Sequence, residues 1–89
     1  MPNLATLIAL LRDIRAGSSR GRNIKAFQSI VWGDADLDVD PVAERLLREL
    51  AHDLDFYEPD AERRQEDPAY FGDGRLEDEV GRVLAHFGG

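Results

Sequence analysis

Apolar side chains in this chain recur three and four positions apart in four separate stretches, the spacing that lines one face of an α-helix. Four such stripes within 89 residues can be shielded from water only by packing against one another. The first is Leu4, Leu7, Ile8, Leu11 and Ile14, with Pro2 and Asn3 suited to a helix start and Gly17 with two serines to end it. The second runs from Arg20 to Trp32 through Ile24, Phe27 and Val31. Ile30, Val31 and Trp32 also suit a strand, but Gly33 is a natural helix stop.

The third stripe is Val42, Leu46, Leu47, Leu50, Leu54 and Tyr57, with Glu44, Arg45, Arg48, Glu49 and Asp53 on the opposite face. Glu44 and Arg48 have the spacing and order of a weak ion pair, and Pro59 closes the segment. The fourth is Leu76, Val80, Val83, Leu84 and Phe87. Gly81 inside it costs about 1 kcal/mol against alanine, which implies a close approach there. No stretch offers a convincing strand pair and no repeat is visible. The expected fold is all-α: a small antiparallel four-helix bundle, one domain over residues 1–89, with a long loop before the last helix. That loop, "EPDAERRQEDPAYFGDG", is expected to hold one short helical turn around Ala61–Gln65, between Pro59 and Pro68.

Composition removes several function classes. The absence of cysteine excludes a disulfide framework, a thiolate metal site and cysteine catalysis. No apolar run approaches the roughly 20 residues of a membrane span. The run "LATLIALL" has no basic residue before it and is ended by Arg12 and Asp13, so it reads as a core helix and not as a secretory signal. A cytoplasmic location is expected.

The net charge of −7 is unevenly spread. Residues 1–33 carry five basic groups against Asp13 alone, whereas residues 34–89 carry six arginines against seventeen acids. So acidic a surface repels phosphate, which argues against nucleic acid as partner, and attracts a basic protein. The basic first third reads as a solvated face with acidic neighbours.

Asp34, Asp36, Asp38 and Asp40 alternate ahead of the third helix. An EF-hand loop needs glycine at position 6 and glutamate at position 12. Counting from Asp34 gives Val39 and Arg45, and counting from Asp36 gives Pro41 and Leu47, so no metal is expected. Asp40 instead suits an N-cap with Pro41 at the first helical position. The earlier aspartates remain, as solubilising charge or as contacts for a basic partner.

Neither histidine has the company that chemistry requires. His52 has no second histidine one turn away, and His86 lies where a C-terminal dipole favours a cation. "GDGR", Gly72 to Arg75, lacks the lysine and length of a phosphate loop, and Asp73 is expected to cap the last helix. No catalytic residue and no cofactor is assigned, and an enzyme is not expected. The aromatic pairs Phe56–Tyr57 and Tyr70–Phe71, ringed by carboxylates, are interface material: the rings supply area and the charges supply orientation. Covering the open end of the bundle is the competing use of the same rings.

The string "DLDFYEP", Asp53 to Pro59, resembles the Asp-Leu-x-Tyr-Tyr-Pro segment of the colicin and pyocin nuclease immunity proteins. Those are small, acidic four-helix proteins that bind and inhibit a bacterial toxin nuclease. The resemblance implies that Phe56 and Tyr57 occupy the paired-tyrosine positions that contact the toxin, with Asp53 the acid beside them. Here a phenylalanine replaces the first tyrosine, Glu58 is an extra residue before the proline, and the first third of the chain is basic where that family is acidic. The expected function is therefore an immunity or inhibitor protein that blocks a basic toxin or nuclease. Its partner-binding residues would be Asp34, Asp36, Asp38, Asp53, Asp55, Phe56, Tyr57, Glu58, Tyr70 and Phe71. The alternative is a self-associating helical module, such as a homodimer.

Overall fold

A computed structural model describes residues 4–33 and 39–88. Asp34, Asp36 and Asp38 lie outside the described residues. Four helices follow in order: α1 (Leu4–Ala16), α2 (Arg20–Gly33), α3 (Pro41–Leu54) and α4 (Asp73–His86), with a short 3₁₀ helix, Arg63–Glu66, in the connection before α4. The fold is an all-α four-helix bundle. Each helix packs on the next, and α4 closes the ring on α1. The end of α1 lies by the start of α4, and the end of α3 by the starts of α2 and α4, so successive helices alternate in direction. The Cα radius of gyration, 12.8 Å, is near the roughly 12 Å expected of a folded chain of this length.

The apolar stripes meet in one core. Leu7, Leu11 and Ile14 of α1, Ile24, Phe27 and Val31 of α2, Leu47, Leu50, Ala51 and Leu54 of α3, and Leu76, Val80, Val83 and Leu84 of α4 are buried together. Phe27 is among the bulkiest fully enclosed side chains. Val42 departs from the expected stripe and is 60% exposed. Ala43 takes the inward position at that end of α3, and its neighbour is rotated away by about 100°.

Helix ends leave carbonyls without intrahelical partners, and here neighbouring helices supply donors. α1 ends with Gly17 at φ +86°. Its N–H donates to the Ile14 carbonyl and that of Ser18 to the Asp13 carbonyl, the paired bonds of a Schellman end. Arg20 of α2 then donates through Nε to the Ile14 carbonyl, at 2.7 Å, and through Nη2 to the Arg15 carbonyl, at 3.0 Å. Arg48 of α3 donates to the Val31 carbonyl near the end of α2 while holding Glu44 at 3.0 Å. At the end of α3, the Asp55 N–H turns to the His52 carbonyl. The Ala51 carbonyl instead accepts from Gln28 Nε2, which explains a glutamine only 8% exposed.

Two expectations about starts and close approaches are met, and one is not. Asp40 caps α3, its carboxylate accepting from the Ala43 N–H at 2.9 Å with Pro41 behind it. At Gly81 a Cβ would come within 3.1 Å of the Arg15 guanidinium, whose Nε donates to the Glu77 carbonyl. Asp73, however, does not cap α4. Gly72, which has no side chain to cap with, occupies that position, and the Asp73 carboxylate meets Tyr57 and Arg20 instead.

Candidate functional site

The exit from α3 positions most of the residues of interest. α3 ends at Leu54, so Phe56 and Tyr57 stand in the turn beyond it and not on the helix itself. The chain then runs out to the 3₁₀ helix and folds back. Glu58 N–H donates to the Phe71 carbonyl at 2.9 Å and Phe71 N–H to the Phe56 carbonyl at 3.2 Å, a single parallel bridge. Arg64 ties the loop internally through the Glu58 and Pro59 carbonyls. Its guanidinium lies so close to Gly72 that a Cβ there would meet Nη1 at 2.8 Å.

This return buries one expected partner-binding residue. Phe71 is 6% exposed and belongs to the core. One side of its ring meets Tyr57, with centroids 6.1 Å apart, and the Arg75 guanidinium lies over it at 4.9 Å. Backbone pairing across the loop holds it inward. Phe56, Tyr57, Glu58 and Tyr70 are half-buried, and Asp55 is exposed. His52 is also exposed and packs edge-on against Phe56.

Tyr57 is fixed by a three-membered polar contact. Its hydroxyl donates to Asp73 Oδ1 at 2.5 Å, the same oxygen that Arg20 Nη1 approaches at 3.2 Å. Arg20 also lies 5.9 Å from the centre of the Tyr57 ring. Burial, and after it the acceptor Asp73, push the Tyr57 hydroxyl above its ordinary pKa, with Arg20 pulling the other way. Arg20 thereby joins the ends of α1, α2 and α4 to the loop. Asp73 and Glu77 are its acidic neighbours, but its side chain is only 15% exposed, so at Arg20 the basic first third is not the solvated face expected.

The helix exit does not form one patch. Asp53 looks into a shallow cleft between α3 and α4, with Glu49, Glu79 and Arg82 over Leu46, Leu50 and Val83. Glu79 Oε1 holds Arg75 at 3.0 Å, and its Oε2 is enclosed without a hydrogen-bond partner among the described residues. No group of three or more side chains among the described residues is arranged to hold a metal ion. Asp55 and Tyr57 face the other way, onto a groove of about 400 Å³ between α2 and the α3 exit. Ile24, Leu54 and Pro59 line it, Gly21 leaves its α2 side open, and Arg20 and Lys25 stand on the same side opposite Asp55.

Sequence reasoning did not foresee Arg20, Lys25, Ile24, Pro59 or Asp73 at this place. Arg20 and Asp73 are 53 residues apart, and no local spacing announces such a pair.

Across the chain from Asp53 to Asp78 there are ten carboxylates against three arginines. The end of α3, the loop and the start of α4 thus hold a net charge equal to that of the whole protein. No helix among the described residues is long and apolar enough to cross a membrane. These features define a small all-α bundle with a highly acidic connection and a groove beside it. Comparison with protein-family profiles, curated protein sequences and solved structures returns no match.

Proposed function

We propose that this chain is a non-catalytic protein-binding domain that acts as an immunity or inhibitor protein, covering the cationic face of a basic toxin or nuclease. The observation that carries the reading is the concentration of ten carboxylates between Asp53 and Asp78 around the half-buried rings of Phe56, Tyr57 and Tyr70. A field of one sign speeds encounter with a partner of the other, and rings held in place supply contact area at little entropic cost. Inhibition would follow from occupying the surface that the partner uses for nucleic acid, with no bond made or broken in this chain. Asp55 and Glu58 supply charge, with Asp53 adding to it on the α4 side, and Phe56, Tyr57 and Tyr70 supply area. Asp34, Asp36 and Asp38, outside the described residues, are proposed as further partner contacts from sequence alone.

Binding by such a surface weakens with salt. The test is capture from a cytoplasmic extract on the immobilised protein, washed at rising ionic strength. One basic protein held in near-equal amount and released by salt supports the reading, and its nuclease or toxin activity should fall on addition of this chain. A retained partner that is acidic, or whose activity is unaffected, refutes it.

A second reading rests on Trp32 and Val42, the exposed large hydrophobic residues among those described, at 54% and 60%. They stand at the end of α2 and the start of α3, and exposed apolar side chains there suit self-association. A melting temperature that rises with protein concentration, and that loses this dependence in Trp32→Ser, would favour a homodimer.

A further inference from the structure

We infer that the groove between α2 and the α3 exit receives one large apolar side chain from a basic segment of the partner, with an adjacent lysine or arginine of that segment on Asp55; this deepens the binding role proposed above and rests on it. The groove's volume, about 400 Å³, lies near the lower end of the roughly 300–1,000 Å³ of ligand pockets, room for a side chain and not for a helix. The apolar part of its lining is Ile24, Leu54 and Pro59 with the Tyr57 ring. The Tyr57 ring is held in place, because its hydroxyl donates to Asp73, whose carboxylate Arg20 also holds. A preformed pocket of this kind costs little to order on binding.

Charge complementarity selects the occupant. The loop that forms one side of the groove belongs to the acidic stretch, with Asp55 on the rim and Glu58 and Asp60 following. Asp55 enters no ion pair among the described residues, whereas Glu58 lies near Arg63. A segment rich in lysine or arginine is therefore drawn to this edge, and the groove is the apolar recess within its reach. The opposite side carries Arg20, already committed to Asp73 and two backbone carbonyls, and Lys25, which forms no ion pair among the described residues. The groove is thus polarised across its width. A cation of the partner belongs on the Asp55 side and a carbonyl or carboxylate on the Lys25 side, which fixes the direction in which the segment lies.

Gly21 supplies the test. A Cβ at this position meets nothing within 4 Å, so Gly21→Trp fills the groove from its open side without disturbing the core. Gly21→Ala leaves the groove open and serves as the control. The probes are nine-residue peptides with a central phenylalanine flanked by lysines, the same peptide with central glycine, and one with glutamates in place of the lysines. Binding is followed by NMR on the isotope-labelled full chain. The lysine–phenylalanine peptide should shift the Ile24, Gln28 and Leu54 signals saturably and bind at least ten-fold more tightly than the glycine peptide. Gly21→Trp should lose that preference while melting no lower than the wild type, and Gly21→Ala should keep it.

Equal binding of the phenylalanine and glycine peptides, or an undiminished preference in Gly21→Trp, overturns the groove assignment while leaving the acidic docking surface standing. Tighter binding of the glutamate peptide, or no saturable shift at millimolar peptide, overturns both.

Discussion

The Tyr57 hydroxyl donates a hydrogen bond to Asp73 Oδ1, joining the turn after α3 to the first residue of α4 across sixteen positions of chain. Arg20 meets the same carboxylate from the start of α2. A tyrosine proposed to contact a partner is therefore a structural tie, and the proposed role has to be separated from the structural one by experiment.

Tyr57→Phe removes the hydroxyl and keeps the ring that lines the groove and meets Phe71. Asp73 retains Arg20 and is 60% exposed, so the loss should be at most about 1 kcal/mol. For a domain of this size that is a fall of roughly 4–8 °C or less in melting temperature. Partner binding through the ring should survive. Tyr57→Ala, which also removes core contacts, should melt distinctly lower, and its binding loss is therefore the less informative of the two.

Alkaline pH should loosen the same tie. The Tyr57 pKa is raised in the folded protein by burial and then by Asp73, so the protonated hydroxyl is favoured by folding. Its contribution is complete below the unfolded tyrosine value of about 10 and is lost as pH rises through the higher folded value. Melting temperatures measured from neutral to strongly alkaline pH should fall more steeply above about pH 10 in the wild type than in Tyr57→Phe. Parallel curves would contradict the assignment.

Asp40→Ala should destabilise the protein by about 1 kcal/mol, the usual cost of removing an N-cap, since the carboxylate accepts the Ala43 N–H. Asp40→Asn, which keeps an acceptor, should recover most of that loss in a chemical denaturation curve.

Gly81→Ala pits helix propensity, worth about 1 kcal/mol, against displacement of the Arg15 guanidinium, which lies 3.1 Å from the new Cβ. In wild-type background the two should nearly cancel. In an Arg15→Ala background the obstacle is gone, and Gly81→Ala should stabilise by about 1 kcal/mol. A double-mutant cycle with no coupling would show that Arg15 does not rest on Gly81.

What the sequence made legible follows from the range of the forces involved. Leu47, Leu50 and Leu54, or Leu76, Val80 and Val83, lie on one face because the helix repeat puts them there, and their burial was readable directly. Asp40 and Pro41 start α3 through contacts within four residues. The fate of Phe71 was not readable, because it depends on backbone bonds to Phe56 and Glu58 made only when the loop returns. Asp73 looked like a cap, and nothing nearby in sequence reveals the tyrosine and arginine that claim it. Nor does any local pattern mark Gln28 as buried, since its partner is the Ala51 carbonyl, 23 residues away. Within "DLDFYEP", adjacent positions part company: Asp53 faces α4 while Asp55 and Tyr57 face α2.

The central claim is that the acidic connection docks a basic partner. Its most direct test is capture from a cytoplasmic extract on two columns, one bearing the wild type and one bearing Asp53→Asn, Asp55→Asn and Glu58→Gln together, with the retained proteins quantified by mass spectrometry. The account predicts a single basic protein held in near-equal amount by the wild type, released as salt rises, and largely absent from the variant column. The same proteins retained equally on both columns, or none near equal amount on the wild type, would contradict it.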